Sequence, residues 1–249
     1  MPDKELAGRV AIITGAGRSI GRAMALELAE GGAAVVINVR KNRAEGEAVV
    51  KEIEGKGGKA MVAVADVVDA AAVNAMAKAA LQKFGRIDYL INNAALRQEK
   101  TIEHMSFEDW RYITGVVLDG AFHCVKACLD AIKKSDAGSI INVGGLTGAM
   151  GAPDRVHVVT AKAGIAGFTR GLAREFAPYK ITVNTLVPAM LAKPDKPNEI
   201  PAHPIYRPIL GRAAWPEDFA PLARFLVGPG ARYITGQIIN VNGGTYFGV

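Results

Sequence analysis

The chain has 249 residues, 50% of them hydrophobic, and a formal net charge of +6 with a pI of about 9.3. This length allows a substantial core in one large domain or two small ones, and no shift in composition marks a linker. Scattered Lys and Arg exclude a nucleic-acid-binding stripe, while the lack of a long uninterrupted apolar span or a signal-peptide-like start excludes a membrane partner and predicts a cytoplasmic protein.

Residues 9–21 read RVAIITGAGRSIG. The apolar run 10–13 predicts a buried strand. Thr14 and Gly15 then open a tight turn, and Gly17 and Gly21 remove side chains where backbone passes close to something else. From Arg22 the pattern turns helical, with Ala23, Leu26 and Ala29 on one face. Strand, glycine turn and helix together suit a pyrophosphate, because free N–H groups and the positive helix end both point at the anion. A second apolar run, 33–39, leads into Arg40 and Lys41, and a polar helix follows over 42–55. A third strand, 59–65, precedes Asp66 and Val67, and an alanine-rich helix covers 70–84.

The fourth strand, 87–91, enters Asn92-Asn93-Ala94-Ala95. A long helical stretch runs over 107–134, broken near Gly115 or Gly120. It carries His123, Cys124 and Cys128, too few ligands on one face for a zinc site, so reduced thiols and no metal are predicted. Next come a strand at 138–143 entering Gly144-Gly145, a helix at 155–176, and a strand at 181–187 closed by Pro188. Residues 189–215 are irregular, with Pro194, Pro197, Pro201, Pro204 and Pro208. A helix at 216–227 and a strand at 236–241 complete the chain. Strands alternating with helices predict an α/β fold of the Rossmann type: a doubly wound parallel sheet of about seven strands, helices on both faces, one domain over 1–249. Ligands in such sheets sit beyond the strand C-termini, where the informative residues fall.

Arg18 lies inside the turn, and Arg40 and Lys41 lie just past the second strand. An NAD-specific site would place a carboxylate there; this chain has Asn38-Val39-Arg40, which predicts NADP(H) over NAD(H). Asp66 can accept from the adenine amino group, or cap the next helix, although it stands slightly far from Ala70 for a cap. Ser19, Ile20, Val67, Asn93, Ala94 and Pro188 complete the predicted cofactor contacts with Gly15, Gly17 and Gly21.

As a set, Thr14 to Gly21, Asn92 to Ala95, Gly138 to Asn142, Lys162-Ala163-Gly164, Ile181 to Asn184, and Ile234 to Gln237 with Asn242-Gly243-Gly244 resemble the short-chain dehydrogenase/reductase family. The resemblance spans nearly the whole chain and is greatest to the bacterial 3-oxoacyl carrier-protein reductase branch. It departs at Ser19 and Ala95, where the family usually has glycine. It implies hydride transfer between nicotinamide and a carbonyl or alcohol. In the family a tyrosine gives the proton, a lysine four residues on lowers the phenol pKa and holds the ribose, a serine binds the substrate oxygen and an asparagine supports a water relay. Ungapped spacing puts Lys162 on the lysine, but Val158, Gly145 and Val117 on the other three. His157, beside Val158, is the candidate replacement donor, provided the helix begins after it or the loop re-aims it. Thr147, Thr160, Asp119, Tyr112, Tyr206 and His203 are weaker candidates. Residues 189–215 match the family's substrate lid, whose His203, Tyr206, Arg207 and Arg212 could meet an anionic or thioester substrate. The resemblance also implies a homodimer or homotetramer. A catalytically silent nucleotide-binding relative is the competing reading.

Overall fold

Short apolar runs form the strands: β1 (Val10–Ile13), β2 (Ala34–Val39), β3 (Lys59–Val64), β4 (Tyr89–Asn92), β5 (Ser139–Val143), β6 (Thr182–Pro188) and β7 (Ile238–Val241). The computed structural model describes residues 4–192, 199 and 206–248. The strands pair in the order β3-β2-β1-β4-β5-β6-β7, each pair parallel. Parallel neighbours need long crossovers, supplied mainly by α1 (Ser19–Glu30), α2 (Arg43–Gly55), α3 (Ala70–Phe84), α4 (Phe107–Thr114), α5 (Gly120–Ile132), α7 (Val156–Phe176) and α8 (Ala220–Val227), with a short α6 (Thr147–Met150).

Every residue of β1, β2, β4 and β5 is buried, as both faces of a covered parallel sheet require. Alternate residues feed two cores. Ala11, Ile13, Val35 and Ile37 pack with α1 and α8 residues such as Met24, Leu28 and Leu226. Val10, Ile12 and Val36 face the other side, with Val73, Cys124 and Phe176 of α3, α5 and α7. Both cysteines are buried, and burial pushes the Cys124 thiol up to about 12. No helix among the described residues is long and apolar enough to cross a membrane.

Three local features differ from the sequence expectations. The first helix starts at Ser19 rather than near Arg22. The long helix is not broken at its glycines: α4 runs into α5 through a π segment, Gly115–Asp119. Thr114 Oγ1 donates to Trp110 O at 2.8 Å, inserting a side chain into the ladder just before it. The helix α6 was not foreseen, being only four residues long and uncapped.

Candidate functional site

Strand order reverses at β1, whose neighbours are β2 and β4, so the C-terminal ends of these strands open the crevice expected of such sheets. The glycine turn lies there and is held from both sides. Asn93 Nδ2 donates to Thr14 O and Gly15 O at 2.8 and 3.1 Å. Thr14 Oγ1 accepts from Asn93 N and Ala94 N, each at 2.9 Å. On the other side, Gly15 N donates to Asn38 Oδ1 at 3.2 Å, and Asn38 Nδ2 donates to Ala65 O at 3.0 Å. Asn38 therefore locks the turn to the end of β3. In the sequence it stands out only where an NAD-specific site would carry a carboxylate.

Gly15 has φ +62, a left-handed conformation that a side chain strains. A Cβ at Gly21 would lie 2.5 Å from Gly15 O. The helix behind the turn lacks the usual side-chain cap: Arg18 makes none, whereas Asn42, Asp69 and Ser106 cap α2, α3 and α4. The first-turn N–H groups of α1 have no intrahelical acceptor. An uncapped helix start over a side-chain-free cradle fits a pyrophosphate. Asp69 is the cap of α3, so Asp66 is not; Asp66 Oδ1 instead accepts from Val68 N at 3.3 Å.

Ser19 keeps the turn but at a conformational cost, with φ 52. A left-handed L-residue costs roughly 1–2 kcal/mol, against roughly 0.5–1 kcal/mol of added chain entropy for glycine. Ser19→Gly should therefore raise unfolding stability by about 0.5–1 kcal/mol. Urea unfolding checks this, with a lower midpoint the contrary result.

Arg40 and Lys41 are exposed at the end of β2, and Arg40 Nη1 donates to the Tyr112 hydroxyl. Glu45 approaches the same corner: its Oε2 would be 3.3 Å from a Cβ on Gly17. Val67 and Ala94 line a small cavity with Asn92, Val117 and Val143. Asn92 Nδ2 donates to Asn142 Oδ1 at 2.8 Å, while buried Asn92 Oδ1 has no partner. Pro188 closes β6 opposite Val241 of β7.

The remaining predicted residues gather at the ends of β5 and α7. Lys162 Nζ donates to Val143 O at 2.7 Å. A Cβ at Gly145 would lie 3.2 Å from Lys162 Cγ, so residue 145 covers the lysine stem. Val158 is half-buried one turn before Lys162, and Val117 lies in the π segment, buried. Positions 145, 158 and 162 are brought together, but only the lysine has a side-chain donor.

His157 does not take the place of residue 158. Helix α7 already includes Val156, and neighbouring helical side chains diverge by about 100°. His157 is fully buried, with Nε2 at 3.3 Å from Gln98 Oε1. Gln98 Nε2 donates to Asp109 Oδ1 at 3.0 Å, which fixes the amide orientation. His157 Nε2 thus donates to Gln98, leaving Nδ1 as an acceptor without a partner. The imidazole braces the segment after β4 against α7, alongside the Glu99–Arg155 ion pair.

Asp119 pairs with Arg111 at 3.7 Å. Arg212 is held by both oxygens of Asp218, at 2.7 and 2.6 Å, and so is already neutralised rather than waiting for an anion. Tyr206 hydroxyl donates to Gly151 O at 3.2 Å, beside the end of α6. His203, Pro194, Pro197, Pro201 and Pro204 lie outside the described residues.

The family model for enoyl-(acyl carrier protein) reductase matches residues 15–246. A 3-oxoacyl-(acyl-carrier-protein) reductase of Synechocystis sp. is 41% identical, over 96% of this chain and 97% of its own. The Staphylococcus aureus 3-oxoacyl-(acyl-carrier-protein) reductase FabG is 36% identical over 95% of this chain and 97% of its own. Among solved structures, a dehydrogenase/reductase from Sinorhizobium meliloti superposes with a TM-score of 0.91 at 31% identity, covering 98% of this chain and 97% of that one. A Burkholderia cenocepacia short chain dehydrogenase in complex with NADP gives 0.90 at 29% identity, covering 97% and 99%.

Proposed function

The chain belongs to the short-chain dehydrogenase/reductase family, in the branch of the 3-oxoacyl carrier-protein reductases, and from that premise we propose that it is an NADP(H)-dependent oxidoreductase interconverting a carbonyl and an alcohol. The observation that carries this reading is the cradle at Gly15 to Gly21 beneath the uncapped start of α1. The cofactor, when bound, supplies the hydride. Gly15, Gly17, Ser19, Ile20 and Gly21 would hold its pyrophosphate, Asp66 and Val67 its adenine, and Asn93, Ala94, Lys162 and Pro188 its nicotinamide half. The substrate would be a small acyl compound, anionic or a thioester, as the names of the curated relatives suggest. Loss of the serine and tyrosine positions makes the proton chemistry atypical.

NADP(H) over NAD(H) is supported by Arg18, Arg40 and Lys41 and by the NADP complex of the Burkholderia neighbour. A charged hydrogen bond contributes about 1.5–3 kcal/mol, so Arg40→Ala should weaken NADPH about 10- to 100-fold. NADH should change little. Fluorescence titration with both cofactors tests this; equal affinities in the wild type would refute the preference.

Gly145, Val158 and Val117 support a second reading, a catalytically silent relative that binds nucleotide and assembles. NADPH consumption over a broad carbonyl panel separates the two. We place the protein in the cytoplasm as a homotetramer or homodimer; exposed Phe107, Phe122, Tyr233 and Phe247 support assembly.

A further inference from the structure

We propose that Lys162 itself donates the proton to the substrate oxygen, in place of the phenol missing at position 158. This rests on the oxidoreductase reading above. An ammonium has three donors, and the bond to Val143 O uses one. Among the described residues no carboxylate pairs with Lys162. Neither Gly145, packed on the lysine stem, nor Val158 brings a hydroxyl that would intercept the substrate oxygen.

Among the described residues, several charged and titratable groups near α7 are engaged elsewhere. On the central helix Asp109 is bonded to Lys100 and Asp119 is paired with Arg111. The Tyr206 hydroxyl donates to Gly151 O, and His157 is bonded to Gln98. Arg97, from the segment after β4, is the charge that acts on Lys162. Burial first, and this cation second, bring the Lys162 ammonium down to about 8. A general acid works best with a pKa near the operating pH; an ordinary lysine, near 10.4, is poorly matched.

The step balances. The carbonyl carbon gains a hydride with its two electrons from the reduced nicotinamide, and the C=O π pair moves onto oxygen. The Lys162 N–H bond breaks, its electrons staying on nitrogen, as the new O–H bond forms. The neutral amine regains a proton from water. In the reverse direction the neutral amine is the base. Reduction needs the protonated form, so it should fall as pH rises through about 8, while alcohol oxidation rises over the same window.

Two measurements test the assignment. Acetic anhydride labelling of the native wild type across pH, read at Lys162 by peptide mass spectrometry, should reach half-maximal reactivity near pH 8; a midpoint above about 10 would overturn it. Lys162→Arg keeps a cation for binding but cannot release a proton near neutrality. It should bind NADPH within about threefold of wild type yet lose at least about 100-fold in turnover. Turnover that survives in Lys162→Arg removes the proton role alone, and so does a loss confined to Tyr206→Phe. If the wild type and a Gly145→Ser/Val158→Tyr variant both bind NADPH and reduce nothing in the panel, the oxidoreductase reading falls, and the proton role with it.

Discussion

The Gly145→Ser/Val158→Tyr variant should reduce a 3-oxoacyl thioester about tenfold faster than the wild type, less than the roughly 10²–10⁴-fold that general acid–base assistance contributes where no acid is present, because Lys162 already supplies one. The scaffold is ready for both groups. Residue 158 lies one helical turn before Lys162, the spacing at which helical side chains meet. A phenol there would lie near an ammonium, and a neighbouring cation favours phenolate and so lowers the phenol pKa. A Cβ at position 145 would be 3.2 Å from Lys162 Cγ and 3.4 Å from Cδ. That is tight by a few tenths of an ångström, but the neighbour is a flexible stem that can give. NADPH absorbance gives the rate, with fluorescence titration as the control. An unchanged rate with intact NADPH binding would mean that the missing hydroxyls are not what limits this site.

The parts of the fold that come from burial were legible. Runs such as Val10–Ile13 and Ala34–Val39 are apolar throughout because both sheet faces are covered. Topology then places the ends of those runs together, so Gly15 and Asn93 could be named from their order alone, whereas Lys162, inside α7, was named from the family resemblance. What escaped was decided by partners distant in sequence. Asn38 stands inside an apolar run, and a polar side chain buried there must find acceptors; that was the available signal, and the acceptor is Ala65 O. His157 looked like a substitute for residue 158 by adjacency, but Gln98, 59 residues away, sets its direction. The π segment leaves no mark in apolar periodicity, because it shifts hydrogen bonds and not residue types.

Gly21→Ala is expected to lower stability by about 1–3 kcal/mol, the range for overpacking, and to weaken NADPH at least about tenfold. The sign is not obvious from composition, since alanine beats glycine by roughly 1 kcal/mol inside a helix. Position 21 is in the first turns of α1 and is not among the left-handed glycines, so backbone freedom is not its purpose. Space is. The added Cβ would lie 2.5 Å from Gly15 O, 2.6 Å from Asn93 Nδ2 and 2.9 Å from Ala16 Cα. Two of these atoms are backbone, and the third already donates to Thr14 O and Gly15 O. Relief must therefore open the turn, breaking bonds of about 0.5–1.5 kcal/mol each. The displaced groups are the ones proposed to face the pyrophosphate, so stability and cofactor affinity should fall together. Gly55→Ala is the matching control. It closes α2 with nothing within 4 Å of its Cβ, and should be neutral or stabilising by up to about 1 kcal/mol. Paired urea melts and NADPH titrations decide the matter: if Gly21→Ala were as benign as Gly55→Ala in both, the close approach of α1 to the turn would not be what holds the cradle in shape.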